Sequence, residues 1–266
     1  MSLVQILIAN ALLLAFTFFL LWVVSVKIRD ASIIDMFWGV GFALVAWVSL
    51  TCTPDPSTRS LVIAGMVTLW GLRLSAYLTW RNWGKPEDFR YAAMRERRGD
   101  RFAIVSLYLV FGLQAALMWI ISLPVQLGIA TAGDWSVVPT AGVLTFAVGL
   151  LFESVGDYQL ARFKVDPANT GRVMDRGLWR YTRHPNYFGD FLVWWGIYLA
   201  SFEIWTWWTL VGPTVISFFL LRVSGVPMLE QSLSTRLIGY HEYLESTSSF
   251  FPMPPRPVVT KTETTS

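Results

Sequence analysis

A basic, glycine-punctuated segment, residues 166–190, carries the residue types and spacing best suited to chemistry. Planar guanidinium groups donate paired hydrogen bonds to phosphate oxygens, so its arginines suit a multiply phosphorylated ligand. The basic residues in and just before this segment are Arg162, Lys164, Arg172, Arg176, Arg180 and Arg183. Positive charge is also typical of a loop between two membrane spans, so charge alone leaves both interpretations open.

Asn186 and Asp190 follow at positions i and i+4 of the helix predicted to begin there, so both lie on one face. A carboxylate accepts hydrogen bonds from ribose hydroxyls, and a carboxamide offers the donors and acceptor that a nicotinamide amide requires. Asp190 in a first helical turn also complements the helix dipole. Glycines, arginines, an amide and an acid within one short segment together favour a nucleotide site.

The composition is that of an integral membrane protein. Of 266 residues, 54% are hydrophobic and only 15% are charged, which is too apolar for an ordinary soluble domain. A single cysteine, Cys52, excludes an internal disulfide, and with two histidines the chain is a poor candidate for a metal site. The net charge of +3 comes from residues between apolar runs, so nucleic acid is not an expected partner.

Seven apolar runs have about the length that a helix needs to cross a bilayer. They are Leu3–Val26, Ile33–Thr51, Arg59–Trp80, Phe102–Leu123, Val138–Ala161, Tyr187–Phe202 and Trp205–Val223. With seven spans, one side holds 19 of the 21 lysines and arginines, which predicts cytoplasmic loops on that side and an outside N-terminus. The predicted fold is an all-α bundle of seven transmembrane helices, with one domain over residues 1–252 and a flexible cytoplasmic tail over 253–266.

Several polar side chains lie inside these spans, where they are costly and often functional. They include Asp35 with Trp38 one turn on, the stripe Trp70, Arg73 and Tyr77, and the pair Glu153 and Asp157. At 1.5 Å per residue, Asp35, Arg73 and Glu153 lie roughly 9 to 13 Å from the nearest basic loop. The sequence therefore predicts one polar cavity that is open to the cytosol, although each side chain alone is equally consistent with interhelical pairing.

The octapeptide RHPNYFGD, residues 183–190, with Gly177-Leu178-Trp179 before it, resembles the C-terminal signature of the steroid 5-alpha-reductase family, including its bacterial multispan members. The likeness extends from about Glu153 to Pro252. It implies an enzyme of the bacterial inner membrane that uses NADPH, with its cofactor site facing the cytoplasm, to reduce the C=C bond of a lipid-like enone such as a 3-keto-4-ene steroid.

The resemblance implies roles for individual residues. Asp157, Lys164, Asn186, Tyr187 and Asp190 match positions expected to contact NADPH. Charge adds Arg172, Arg176, Arg180 and Arg222 as further cofactor contacts, and Trp38, Trp70, Arg73 and Glu153 are expected to contact the substrate. Asp35 and Tyr77 are the predicted catalytic pair. The chain departs from the family pattern, in which a glutamate and a tyrosine share this role: the acid here is Asp35, and Trp70 stands near the place of the family's tyrosine. That departure puts the steroid substrate in doubt.

Two other classes remain open. A shorter RHPxYxG pattern also occurs in isoprenylcysteine carboxyl methyltransferases, membrane enzymes that use S-adenosylmethionine, a cofactor without phosphate. A non-enzymatic lipid-binding or scaffold protein is the third possibility, and it leaves the intramembrane acids unexplained.

Overall fold

Helices make up most of the chain in the computed structural model, which describes residues 1–223, 225–234 and 236–257. The α-helices are α1 (Leu3–Ile28), α2 (Ile33–Cys52), α3 (Thr58–Asn82), α4 (Phe89–Arg98), α5 (Phe102–Ser106), α6 (Leu113–Ile121), α7 (Leu123–Thr131), α8 (Val137–Val165), α9 (Pro185–Ala200), α10 (Val211–Phe218), α11 (Val226–Ser234) and α12 (Tyr240–Ser246). The all-α prediction is confirmed. The tail predicted over 253–266 lies largely outside the described residues, which end at 257.

Six helical runs of the described chain are long and apolar enough to cross a membrane. They are Leu3–Ile28, Ile33–Cys52, Thr58–Asn82, Phe89–Thr131, Val137–Val165 and Ile204–Val223. The fourth is 43 residues long, more than the predicted span Phe102–Leu123, because it also includes α4 at its start and α7 at its end. The predicted sixth span is α9, whose 16 residues rise about 24 Å, less than the roughly 30 Å of hydrocarbon. A multi-pass membrane protein is supported, and the number seven stays a prediction.

Local caps decide where several helices begin and end. Asp88 accepts a hydrogen bond from the backbone N–H of Arg90 at 3.0 Å and so begins α4. The same helix ends at Gly99, whose φ of 51° lies in the region that glycine tolerates best. Helix α4 is therefore a separate, short amphipathic element between α3 and α5.

The chain divides into two compact units, and unit 1 contains Met1–Val143 and Ile197–Pro213. Helices α2 and α3 cross at Gly39 and Gly71, where a Cβ added to either glycine would collide with the carbonyl oxygen of the other. Small residues allow membrane helices to approach this closely. Helix α7 is buried along its length from Leu123 to Ile129 and packs against α1, α2 and α3.

Different loops close the ends of the helices in unit 1. At the N-terminus of α3, the buried Arg59 forms an ion pair with Glu203, and its Nη1 donates to the carbonyl of Asp134 at 2.9 Å. At the other end of α3, the backbone N–H of Ala31 donates to Glu87 at 2.7 Å, which joins the α1–α2 turn to the α3–α4 loop. These contacts fix the loops at both ends of α3 to their neighbours.

Unit 2 contains Leu144–Gly196 and the described residues from Thr214 onward. Helices α8 and α9 cross at glycines, since a Cβ at Gly149 would lie 2.6 Å from the backbone nitrogen of Val193 and 2.7 Å from the carbonyl oxygen of Gly189. This close approach requires glycine, and it brings the polar face of α8 against the start of α9.

Candidate functional site

Asp35, in the first turn of α2, is the centre of a hydrogen-bonded cluster in unit 1. Its Oδ2 accepts from Nη2 of Arg90 at 2.7 Å, and its Oδ1 accepts from the hydroxyl of Tyr91 at 2.8 Å. Asp88 accepts from Nε of the same arginine at 2.8 Å. The two donors fix the orientation of the Asp35 carboxyl, and the guanidinium provides an opposite charge.

The hydrogen bonds continue from Tyr91 to α6 and back to α2. Gln114 donates from Nε2 to the Tyr91 hydroxyl at 3.2 Å and accepts from the indole N–H of Trp38. We call Asp35, Trp38, Arg90, Tyr91 and Gln114 the Asp35 cluster. Asp35 and Trp38 were predicted to lie on one face of the second span. In the cluster they are connected through Tyr91 of α4 and Gln114 of α6.

Aromatic contacts place the predicted substrate residue Trp70 beside this cluster. Its ring is fully buried and lies 5.7 Å from that of Phe42, which lies 5.6 Å from that of Trp38. Trp38 and Trp70, both predicted to contact the substrate, therefore pack against the same ring, that of Phe42.

Tyr77, the predicted catalytic tyrosine, lies among cations on α3. The guanidinium carbons of Arg73 and Arg81 are 5.8 Å and 5.7 Å from its ring centre. This arrangement agrees with the stripe read from the sequence. The tyrosine hydroxyl that bonds to Asp35, however, belongs to Tyr91, and the role given to Tyr77 stays a prediction.

Sequence reasoning missed Arg90 and Tyr91 because it assigned residues 81–101 to a charged loop. The structure places both in the first turn of α4, on the side that faces α2. A signal was present in the Asp88 cap followed by an amphipathic stretch, which is typical of a helix start.

The loop before α4 carries two acids with lowered pKa values. Burial alone would raise the pKa of Glu87, but hydrogen bonds from Arg95 and from the N–H of Ala31 hold it below its ordinary value. Burial has the same tendency at Asp88, where hydrogen bonds from Arg90 keep the pKa low. Both groups are therefore carboxylates at neutral pH and serve as anchors.

In unit 2, the structure brings together two of the predicted cofactor residues. Asp157, on α8, is 5% exposed and accepts a hydrogen bond from Nδ2 of Asn186 at 3.2 Å. Glu153, one turn earlier, is also buried. Gly156 permits this contact, because a Cβ there would come within 3.3 Å of the Asn186 nitrogen. A buried acid and an amide thus lie where α9 begins.

Tyr187 and Asp190 extend this group along α9. The Tyr187 ring stacks on that of His184 with centres 5.5 Å apart, and its backbone N–H donates to Oδ1 of Asn186 at 3.1 Å. Asp190 is half-buried, one turn after Asn186. We call Asp157, Asn186, Tyr187 and Asp190 the α8–α9 polar group.

The predicted basic cofactor residues are all exposed. They are Lys164, Arg172, Arg176, Arg180 and Arg222, of which Arg176 lies 4.0 Å from Asp175. No three His, Cys, Asp or Glu side chains form a group that could hold a metal ion in the described part of the chain. These exposed cations are suited to phosphate or to lipid headgroups.

Arg183 attaches the C-terminal segment to the residues before α9. Its Nη1 donates to the carbonyls of Leu244 and Thr247 at 2.9 Å and 2.7 Å, and its Nε donates to Glu230 at 2.8 Å. Glu230 also contacts the His184 ring nitrogen at 3.2 Å. Sequence reasoning passed over Glu230, since a lone glutamate on a short helix carries no distinctive spacing.

Acidification should remove the contribution of Glu230 to stability. Burial tends to raise its pKa, but bonds from His184 and Arg183 outweigh this and hold the pKa below the ordinary 4.5. A lowered pKa stabilises the folded state above pH 4.5, and this stabilisation is lost as the pH falls through the folded pKa. Glu230→Gln should cost about 1–3 kcal/mol at pH 7, and the cost should shrink below pH 4.5, as measured by SDS titration in mixed micelles. Exposed Glu245→Gln is the matched control, and a cost for Glu230→Gln that does not change with pH would contradict this assignment.

The family model described as "Protein of unknown function (DUF1295)" matches residues 21–247. The chain belongs to this family. DUF1295 is related to steroid 5-alpha-reductase-like membrane proteins, which agrees in broad terms with the resemblance read from RHPNYFGD.

Two relatives of this DUF1295 protein bear on its function. An uncharacterized protein, C594.04c, of Schizosaccharomyces pombe is 24% identical over 264 residues, covering 87% of this chain and 75% of its own. The probable O-methyltransferase ustE of Ustilaginoidea virens is 34% identical over 99 residues, 36% of this chain and 33% of its own. No solved structure matches.

Proposed function

We propose that this DUF1295 protein is a membrane-embedded, NADPH-dependent reductase that saturates the C=C bond of a lipid-like enone, with 3-keto-4-ene steroids as the first candidates. The hydrogen bond between Asp157 and Asn186, in a unit that also carries exposed arginines, is the observation that supports it most. A buried acid and amide suit ribose hydroxyls and a carboxamide, and exposed guanidinium groups suit phosphates.

The residues of unit 2 have the donor set that NADPH requires. Asp157 and Asp190 would accept from ribose hydroxyls, and Asn186 would bond to the carboxamide. Lys164, Arg172, Arg176, Arg180 and Arg222 would meet the diphosphate and the 2′-phosphate. When bound, NADPH supplies a hydride.

The residues of unit 1 fit the other requirement of enone reduction, a hydrogen-bond donor for the carbonyl oxygen as negative charge develops on it. Asp35 is proposed to act with a tyrosine. Tyr77 is the tyrosine predicted from the sequence, and Tyr91 is a second candidate because its hydroxyl already bonds to Asp35 and Gln114. Trp38, Trp70, Arg73 and Glu153 stay proposed substrate contacts.

We further propose seven crossings, an outside N-terminus and a cofactor site on the cytoplasmic side of a bacterial inner membrane. The skewed distribution of lysine and arginine supports the orientation. Helix α8 begins just after Asp134 and α9 ends just before Glu203, and both of these residues contact Arg59. This shared end supports the view that the chain leaves along α8 and returns along α9, so that α9 counts as a crossing.

An S-adenosylmethionine-dependent membrane methyltransferase is the second candidate, favoured by the 34% identity to the probable O-methyltransferase ustE. S-adenosylmethionine has no phosphate, so that function leaves the exposed arginines of unit 2 only a role in setting the membrane orientation. Asp157 suits a ribose hydroxyl of either cofactor, and Asn186 suits the carboxamide of NADPH or the carboxylate of S-adenosylmethionine.

Ligand-induced stabilisation separates the two candidates. A ligand that binds the folded state raises its melting temperature by mass action. NADPH at saturating concentration should stabilise the detergent-solubilised protein, whereas S-adenosylmethionine should not. The reverse result would favour the methyltransferase hypothesis. Membranes incubated with NADPH and a panel of lipid enones should then lose nicotinamide absorbance.

Asn186→Ala should weaken NADPH binding by about tenfold or more, because a buried acceptor loses its donor and the carboxamide loses its partner. Isothermal titration of the purified protein gives the dissociation constant. Asn82→Ala, in unit 1, serves as the control and should leave it unchanged. An unaltered constant in Asn186→Ala would remove this residue from the cofactor site.

A further inference from the structure

A cavity of about 480 Å³ opens in unit 1 where α1 ends. Its walls come from Arg29 at the end of α1, from the last turns of α4 and from the first residues of α5. No member of the Asp35 cluster lines it. The cavity is therefore a feature that the proposed reaction does not use.

Part of the cavity wall is an ion pair whose members already bind each other. Arg95 donates to both carboxylate oxygens of Glu87, at 2.9 Å and 2.7 Å. Its guanidinium carbon lies 4.1 Å from the centre of the Phe102 ring. Arg95 and Glu87 thus form a neutral wall, and the ring face of Phe102 is covered.

Three other charged residues line the same cavity and are exposed: Arg29, Glu96 and Asp100. Among the described residues, no ion pair within 4 Å joins any of the three to another side chain. Arg29 also adopts a φ of 57°, which is uncommon for a residue other than glycine. One cation and two carboxylates around a single space complement a ligand that carries both an anionic and a cationic group.

The cavity lies where the apolar surface of unit 1 gives way to charge. Arg29 is preceded by the exposed apolar residues Val26 and Ile28, with exposed Lys27 between them, and exposed Ile104 and Tyr108 follow the lining residues of α5. The indole N–H of Trp22 donates to the carbonyl of Ala103 at 2.8 Å, so α1 and α5 form one continuous surface. Apolar surface that ends at paired opposite charges matches the depth of phospholipid headgroups.

We propose that this cavity binds the headgroup of a zwitterionic phospholipid that carries a primary ammonium group. The phosphate pairs with Arg29, and the ammonium donates to Glu96 and Asp100. A quaternary ammonium is a poorer fit because it cannot donate hydrogen bonds and relies on open aromatic faces, whereas Arg95 occupies the face of Phe102. The acyl chains follow the apolar side chains of α1 and α5.

The test measures melting temperatures of the full chain, delipidated in detergent, with added phosphatidylethanolamine, phosphatidylcholine or phosphatidylglycerol. Phosphatidylethanolamine should raise the melting temperature the most. Equal shifts with all three lipids would overturn the proposal. Soluble phosphoethanolamine distinguishes the sources, since a shift as large at equal concentration would mean that the site takes the free headgroup and not the lipid.

Variants assign the effect to the cavity. Arg29→Asn removes the cation while keeping a residue that tolerates positive φ, so the lipid-free protein should melt as before. Its apparent affinity for phosphatidylethanolamine should fall at least tenfold, and Glu96→Gln with Asp100→Asn should abolish the preference over phosphatidylcholine. Arg97 lies on α4 beside Glu96 but does not line the cavity, so Arg97→Gln should change neither the affinity for phosphatidylethanolamine nor the preference over phosphatidylcholine. Retention of both affinity and preference in the cavity variants would overturn the proposal.

Discussion

Asp35→Asn is expected to lower enone reduction by about 10²–10³-fold, the scale of losing one group that stabilises charge in a transition state. The substitution keeps the size of the side chain and one acceptor oxygen, so only one of the two hydrogen bonds from Arg90 and Tyr91 can remain, and it removes the negative charge at the centre of the Asp35 cluster. NADPH oxidation by the purified protein gives turnover, and titration gives cofactor affinity. The affinity for NADPH should not change, because the residues predicted to bind the cofactor lie in unit 2 and do not include Asp35.

Two comparisons make this result specific. Asp55→Asn removes the same charge at an exposed turn with a φ of 47°, which asparagine tolerates, and should leave turnover intact. Tyr91→Phe and Tyr77→Phe then identify the tyrosine, since only the one that assists Asp35 should reduce turnover. Full activity in Asp35→Asn, with an unchanged melting temperature, would exclude Asp35 from the chemistry.

Glu203→Ala is expected to lower the free energy of unfolding by about 3–5 kcal/mol, because the buried charge of Arg59 loses its partner. Arg59 is 2% exposed. Its guanidinium would still donate to the carbonyl of Asp134, but it would lose the carboxylate that balances its charge. The backbone N–H of Gly133, which donates to Glu203 at 3.1 Å, would also lose its acceptor. SDS titration in mixed micelles measures the change.

The controls separate the charge pair from the loop around it. Asp134→Ala should cost less than about 0.5 kcal/mol because the backbone carbonyl, and not the side chain, accepts from Arg59. Arg59→Met combined with Glu203→Leu should recover most of the loss, since apolar replacement of both partners leaves no buried charge. A Glu203→Ala variant as stable as the wild type would show that the pair contributes little.

The helices follow from local sequence, and the candidate site follows only in part. Apolar runs of membrane length predicted α1, α2, α3 and α8 well, because each helix satisfies its own backbone hydrogen bonds. The same approach misread the region before α5 as a loop, since α4 is short and charged and depends on its Asp88 cap and on contacts with α2. Hydropathy along the chain gives no indication of these contacts.

Side-chain partners show the same division. The i and i+4 spacing correctly put Asn186 and Asp190 on one face of α9, but it did not indicate that Asn186 would bond to Asp157, 29 residues earlier. That contact depends on the glycines that let α8 and α9 approach closely. Glu230, which orients Arg183 and His184, lies 46 or more residues from both and had no local signature.

The sequence by itself determined that this is an all-helical membrane protein with a polar, basic segment leading into α9. Hydropathy, helix period and the RHPNYFGD octapeptide are local properties, which a single chain displays without its neighbours. Only the tertiary structure decided that Asp35 pairs with Arg90 and Tyr91 and that Arg59 pairs with Glu203. Which donor meets which carboxylate depends on where helices distant in sequence cross, and that is set by packing over the whole unit.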